Sequence, residues 1–115
     1  MAIKEAYEKM GADYEDVLSR LMNDSLVSRL AAKFLDEPSF GKLREALAVQ
    51  DVKEAFMAAH SLKGVVQNLG FANMFEPVIE ITETLRAGSL DGTEEMFKKV
   101  EAEYNRTVEA LREAL

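Results

Sequence analysis

The chain contains no cysteine and no tryptophan. Without cysteine there is no disulfide and no thiolate metal site, an absence that fits a reducing compartment. A single histidine, His60, stands among 115 residues, so no His-rich metal site can form. Carboxylate-only sites remain open in principle, but no Asp/Glu cluster has the loop spacing that calcium needs. Only two prolines and six glycines interrupt the chain. No apolar run approaches the roughly 18 residues that cross a bilayer. The N-terminus MAIKEAYEKM lacks the basic segment and apolar run of a signal peptide. The expectation is a cytoplasmic protein with no membrane partner. Positive charge is scarce as well: 14 Lys and Arg face 21 Asp and Glu, for a net charge of −7. That balance argues against a nucleic-acid binder, which presents basic faces to phosphates. Neither G-x-G-x-x-G nor a P-loop occurs, so the chain has no visible means to bind ATP and phosphorylate itself.

What is present is helical. The length suits one domain, and a chain of this size buries roughly two-thirds of its unfolded surface, enough for one core. Apolar residues recur at spacings of three and four almost throughout, and no period-two strand pattern appears. The pattern predicts short helices over about 2–10 and 13–22, the second with Asp13 as N-cap. Four longer segments follow, over about 24–48, 51–69, 73–87 and 93–115. Pro38 ends or kinks the first of these, because proline lacks an N–H and clashes with the preceding turn. Asp51 and Glu54 form a capping-box-like start to the second, and Gly70 suits the left-handed position after its end. Asn73 is a candidate N-cap for the third, with Pro77 near its first turn and Arg86 and Gly88 at its end. Thr93 opens the fourth, with Glu94 and Glu95 near the positive end of its dipole. The expected architecture is all-α: an antiparallel four-helix bundle in a single domain over 1–115, covered at one end or side by the two N-terminal helices.

The segment AAHSLKGVVQNLGF, residues 58–71, carries the chemistry. At about 100° per residue, Val52, Ala55, Ala59, Leu62, Val66 and Leu69 share one face and form a core seam. His60 lies roughly 140° from the centre of that seam and is expected to face solvent or a partner. Lys53, Gly64 and Gln67 fall within about 40° of it, and Lys63 about 60° to one side. Phe56 and Met57 flank it, either as an apolar docking patch or as residues buried by the covering helices. Glycine inside a helix costs about 1 kcal/mol relative to alanine. At 64 it leaves the imidazole uncovered and lets another backbone approach. Ser61 points about 100° away from His60, so the two do not form a nucleophile–base pair. Residues 41–70 carry four basic and three acidic groups, the only part of the chain with a positive balance. An exposed imidazole beside a cation suits nucleophilic acceptance of a phosphoryl group.

His60-Ser61-Leu62-Lys63-Gly64 followed by Asn68-Leu69-Gly70 resembles the H-x-L-K-G-x-x-x-N-[LI]-G signature of histidine phosphotransfer (HPt) domains. The upstream stretch from LAAKFLDEPSF and the downstream ETLRAGSLDG also look like that family, so the resemblance covers most of the chain. It implies a four-helix bundle whose His60 carries a phosphoryl group on Nε2 and relays it to and from the aspartate of response-regulator receiver domains. Lys63 would stabilise the phosphoryl charge, Gly64 would leave room for it, and Gln67 would hydrogen-bond it or the partner. Val65 and Val66 replace the Ser and Ala residues common at those positions. Lys53, Phe56, Met57, Ser61 and Asn68 would contribute to docking, although Asn68 serves chiefly to end the helix. Mg2+ would come with the receiver, no cofactor would be bound by this chain, and a hybrid sensor kinase would be a further partner. The chain would act as a monomeric phosphocarrier without autokinase activity. The alternative is a non-catalytic bundle that binds a receiver or self-associates, a role with no use for the His–Lys–Gly cluster. A phosphoacceptor domain cut from a chemotaxis kinase would share the same site, although the complete-looking start at Met1 leans against it.

Overall fold

In the computed structural model, which describes residues 2–115, seven helices and no strand occur among the described residues. They are α1 (Ile3–Met10), α2 (Tyr14–Leu21), α3 (Asp24–Phe34), α4 (Ser39–Ala48), α5 (Val52–Asn68), α6 (Ala72–Arg86) and α7 (Thr93–Ala114). Three begin on a short polar side chain that takes an otherwise orphaned N–H. Asp13 accepts from Asp16, Asn23 from Leu26 and Asp51 from Glu54, at 3.0–3.1 Å. Only half of the capping box at 51 forms, because the Asp51 N–H donates instead to the Ala46 carbonyl at 2.9 Å.

The segment expected as one helix over 24–48 is two. Proline disfavours a helical residue before it and cannot donate to the turn behind it. The chain therefore leaves α3 through turn bonds from Asp36 to Lys33 and from Glu37 to Phe34, and restarts at Ser39. The Glu37 carboxylate caps the restart by accepting from the Ser39 N–H at 2.7 Å. This break turns Phe34 and Phe40 onto the same partner: the Tyr104 ring of α7 lies 5.6 Å from the first and stacks 3.9 Å from the second.

α4, α5, α6 and α7 pack in succession, and the Phe40 contacts with Phe97 and Tyr104 close α4 back onto α7. The 22 residues of α7 span about 33 Å, most of the 39 Å long axis. α1 packs on α7, burying Ile3, Ala6, Tyr7 and Met10, and α2 packs on α3. Tyr7, Tyr14, Phe34 and Phe71 continue the aromatic core in ring contacts of 5.0–5.4 Å.

Asn73 does not cap α6, which starts one residue earlier. Its amide instead donates to Glu103 and Thr107 of α7, each at 3.0 Å, tying the two helices together. Pro77 sits in the second turn of α6, where its missing N–H leaves the Asn73 carbonyl without its helical donor.

Candidate functional site

α5 presents its expected seam to the core: Ala55, Ala59, Leu62, Val66 and Leu69 are buried and Val52 is half-buried. The helix ends in a Schellman motif. The Phe71 N–H donates to the Val66 carbonyl at 2.9 Å and the Gly70 N–H to the Gln67 carbonyl at 3.2 Å, with Gly70 at φ +68°. A Cβ at Gly70 would stand 3.1 Å from Val17 Cβ and 3.2 Å from the Asp13 carbonyl oxygen, so the α1–α2 corner seats directly on this glycine.

That corner also caps the helix. Arg20 of α2 donates from Nη1 to the Asn68 carbonyl at 2.9 Å and from Nη2 to the Gln67 carbonyl at 3.2 Å. The Tyr7 hydroxyl donates to the Leu69 carbonyl at 2.5 Å, and the Asp13 N–H to the Gly70 carbonyl at 3.2 Å. The carbonyls of residues 67–70 thus all find donors in the first 20 residues, including a cation at the negative end of the helix dipole. Burial pushes the Tyr7 hydroxyl above the ordinary tyrosine range, with Arg20 a smaller opposing influence.

The opposite face carries the sequence-predicted site. Lys53, Met57, His60, Ser61, Gly64, Gln67 and Asn68 are exposed, and Phe56 and Lys63 are half-buried. They do not form one patch. His60 stacks on Phe56, with centroids 5.7 Å apart and planes 20° apart, and this side turns toward α6. Met57, which is 53% exposed, and Ser61 line a groove with Lys42, Glu45 and Val49 on the α4 side. Asn68 lies at the far end, beside Arg20, Leu21, Leu30 and Lys33. Phe56 is covered by Arg86 of α6, whose guanidinium lies 4.9 Å from the ring centroid.

Two residues of this site were not singled out from the sequence. Glu83 and Arg86, one turn apart on α6, form an ion pair at 2.7 Å beside Phe56, His60 and Lys63. Arg86 had signalled only a helix end, and nothing local in the sequence distinguishes an i,i+3 pair that faces a site from one that faces water. A hydrogen bond from Arg86 holds the Glu83 carboxyl below the usual range, and the charges of Arg86, Lys63 and His60 act in the same direction. Lys63 makes no ion pair among the described residues.

A Cβ built at Gly64 meets nothing within 4 Å. The glycine therefore answers no packing need inside the chain, and the space beside His60 is open. Among the described residues no group of three or more His, Cys, Asp or Glu is placed to hold a metal ion. No helix there is long and apolar enough to cross a membrane.

The described residues thus form an all-helical bundle with its one imidazole exposed on α5. The family model for the Hpt domain matches residues 29–114, and this chain belongs to that family. The match assigns it a phosphotransfer role in two-component signalling, where such domains work with receiver domains and kinases. No curated protein and no solved structure is significantly similar to the chain. The matched segment begins within α3, so α1 and α2 lie outside it.

Proposed function

We propose that His60 is the residue that carries the phosphoryl group, exchanging it with the aspartate of a response-regulator receiver domain. One observation carries this reading: the only imidazole of an Hpt-family chain stands exposed on α5, one turn before a glycine at which a Cβ would meet nothing within 4 Å. The ring must be neutral, with its lone pair on Nε2 and its proton on Nδ1. Nε2 attacks the phosphorus of the receiver's aspartyl phosphate in line. The new N–P bond forms as the P–O bond breaks, and the aspartate carboxylate leaves with the electron pair. Phosphoryl transfer of this kind is catalysed by positioning and by charge. Stacking on Phe56 restrains the imidazole, and Lys63, in no ion pair among the described residues, meets the phosphoryl oxygens. Gly64 keeps the approach clear, and Gln67, two turns along the same stripe, offers an amide donor. Mg2+ enters on the receiver. Lys53 and Phe56 form one flank of the docking face, and Met57 and Ser61 with the α4 groove form the other.

The test is to incubate the protein with phosphorylated receiver domains and Mg2+, alongside the variant His60→Gln. An acid-labile gain of one phosphoryl group, absent in the variant, is the expected result. A folded protein that binds receivers but gains nothing would leave a binding-only module as the better account.

A further inference from the structure

The site beside His60 contains an awkward group. Glu83 pairs with Arg86 on α6, and Arg86 lies over Phe56, the ring on which His60 stacks, so the carboxylate belongs to the surroundings of His60 and of Lys63 one turn on. A carboxylate there works against phosphoryl acceptance in three ways. Paired with Lys63, it neutralises the cation that should meet the phosphoryl oxygens. Paired with His60, it favours the imidazolium, which has no lone pair for phosphorus. Left bare, it repels the incoming group.

In the structure Glu83 takes its hydrogen bond from Arg86 and from neither Lys63 nor His60. Its Oε2 accepts from Arg86 Nε at 2.7 Å, while Lys63 stays unpaired among the described residues. Arg86 is itself pinned, its guanidinium lying over the Phe56 ring at 4.9 Å, and Phe56 stacks on His60. A planar guanidinium can donate along its edge and stack on its face at once, which an ammonium cannot. Both members of the pair are about half exposed, so it contributes little to stability.

We propose that Arg86 is a positioning residue that holds Glu83 away from Lys63 and His60, keeping the cation and the imidazole free for the phosphoryl group. The proposal rests on His60 being the phosphoryl acceptor. The charged groups nearest the imidazole are Lys63, one turn on along its own helix, and Glu83 and Arg86 on α6, while Asp51 and Glu54 at the start of α5 line the groove on the Met57 side. Lys42 and Glu45 of α4 line the same groove.

The experiment compares wild type, Arg86→Gln, Glu83→Gln and the double variant. Two quantities are read: the rate of phosphoryl transfer from a phosphorylated receiver domain with Mg2+, and the titration midpoint of the His60 ring protons by NMR. In Arg86→Gln the freed carboxylate slows transfer by about three- to fivefold, the scale of one exposed ion pair, and moves the midpoint up. The double variant recovers both readings, and Glu83→Gln alone transfers no more slowly than wild type. A double variant as slow as Arg86→Gln overturns the proposal, since Arg86 would then act on the phosphoryl group or on the fold. So does an Arg86→Gln protein with an unchanged midpoint and rate. The titration needs no receiver, so it decides the role of Arg86 even where wild type accepts no phosphoryl group, a failure that would strike the functional reading instead.

Discussion

Replacing Gly64 should make the protein more stable and a worse phosphocarrier. The residue lies inside α5, where glycine costs about 1 kcal/mol relative to alanine because its backbone loses more freedom on folding. A Cβ there meets nothing within 4 Å, so no clash offsets the gain. Gly64→Ala should therefore stabilise by up to about 1 kcal/mol, raising Tm by about 4 °C for a chain of this size. Gly64→Leu should stabilise similarly, since leucine is also a strong helix former. Its side chain leans toward the helix N-terminus, over the preceding turn, and so over His60. A displacement of about 1 Å at a reacting centre can cost on the order of a hundredfold in rate. The loss of transfer should therefore be modest for Ala and at least about tenfold for Leu. Gly41→Ala, in α4 with equally open space at its Cβ, isolates the propensity effect. Gly70→Ala is the opposite control. At φ +68°, with Val17 Cβ 3.1 Å away, it should destabilise by about 1–2 kcal/mol. Urea unfolding and receiver-coupled transfer measure both properties. A Gly64→Leu protein that transfers at the wild-type rate would refute the reasoning, as would a Gly64→Ala protein less stable than wild type.

Arg20→Ala removes two hydrogen bonds and a cation from the C-terminal end of α5. It should cost about 1–2 kcal/mol and speed amide exchange over the last turn of that helix, measured by hydrogen–deuterium exchange. Tyr7→Phe leaves the buried Leu69 carbonyl without its donor and should cost about 1–3 kcal/mol by denaturant unfolding. The same variant tests a pH dependence. Because burial raises the folded-state pKa of Tyr7, its contribution is fully present below the unfolded value of about 10 and is lost as pH rises beyond it. Tyr104, raised chiefly by burial, acts in the same sense. Stability should fall from about pH 10 upward, and Tyr7→Phe should reduce that slope.

The seam of α5, the outward aim of His60, the cap at Asp51 and the left-handed Gly70 were all legible before any coordinates. Each depends on neighbours within about four residues, where helical periodicity and backbone sterics act locally. The bundle followed from the same periodicity repeated along the chain. The 24–48 segment read as one element because its apolar spacing continues on both sides of Pro38. Pro38 marked a disturbance there, and the structure shows a full break, with Phe34 and Phe40 both packed on Tyr104.

Tertiary structure alone decided the rest. It aligned Arg20 and Tyr7 with carbonyls some 50 to 60 residues away, gave Asn73 partners on α7 in place of a cap, and brought Glu83 and Arg86 beside His60. Those pairings depend on the angle and register at which amphipathic faces meet. Many charged residues satisfy a solvent-facing helical pattern equally well, so the pattern does not say which of them a neighbouring helix will place beside the site.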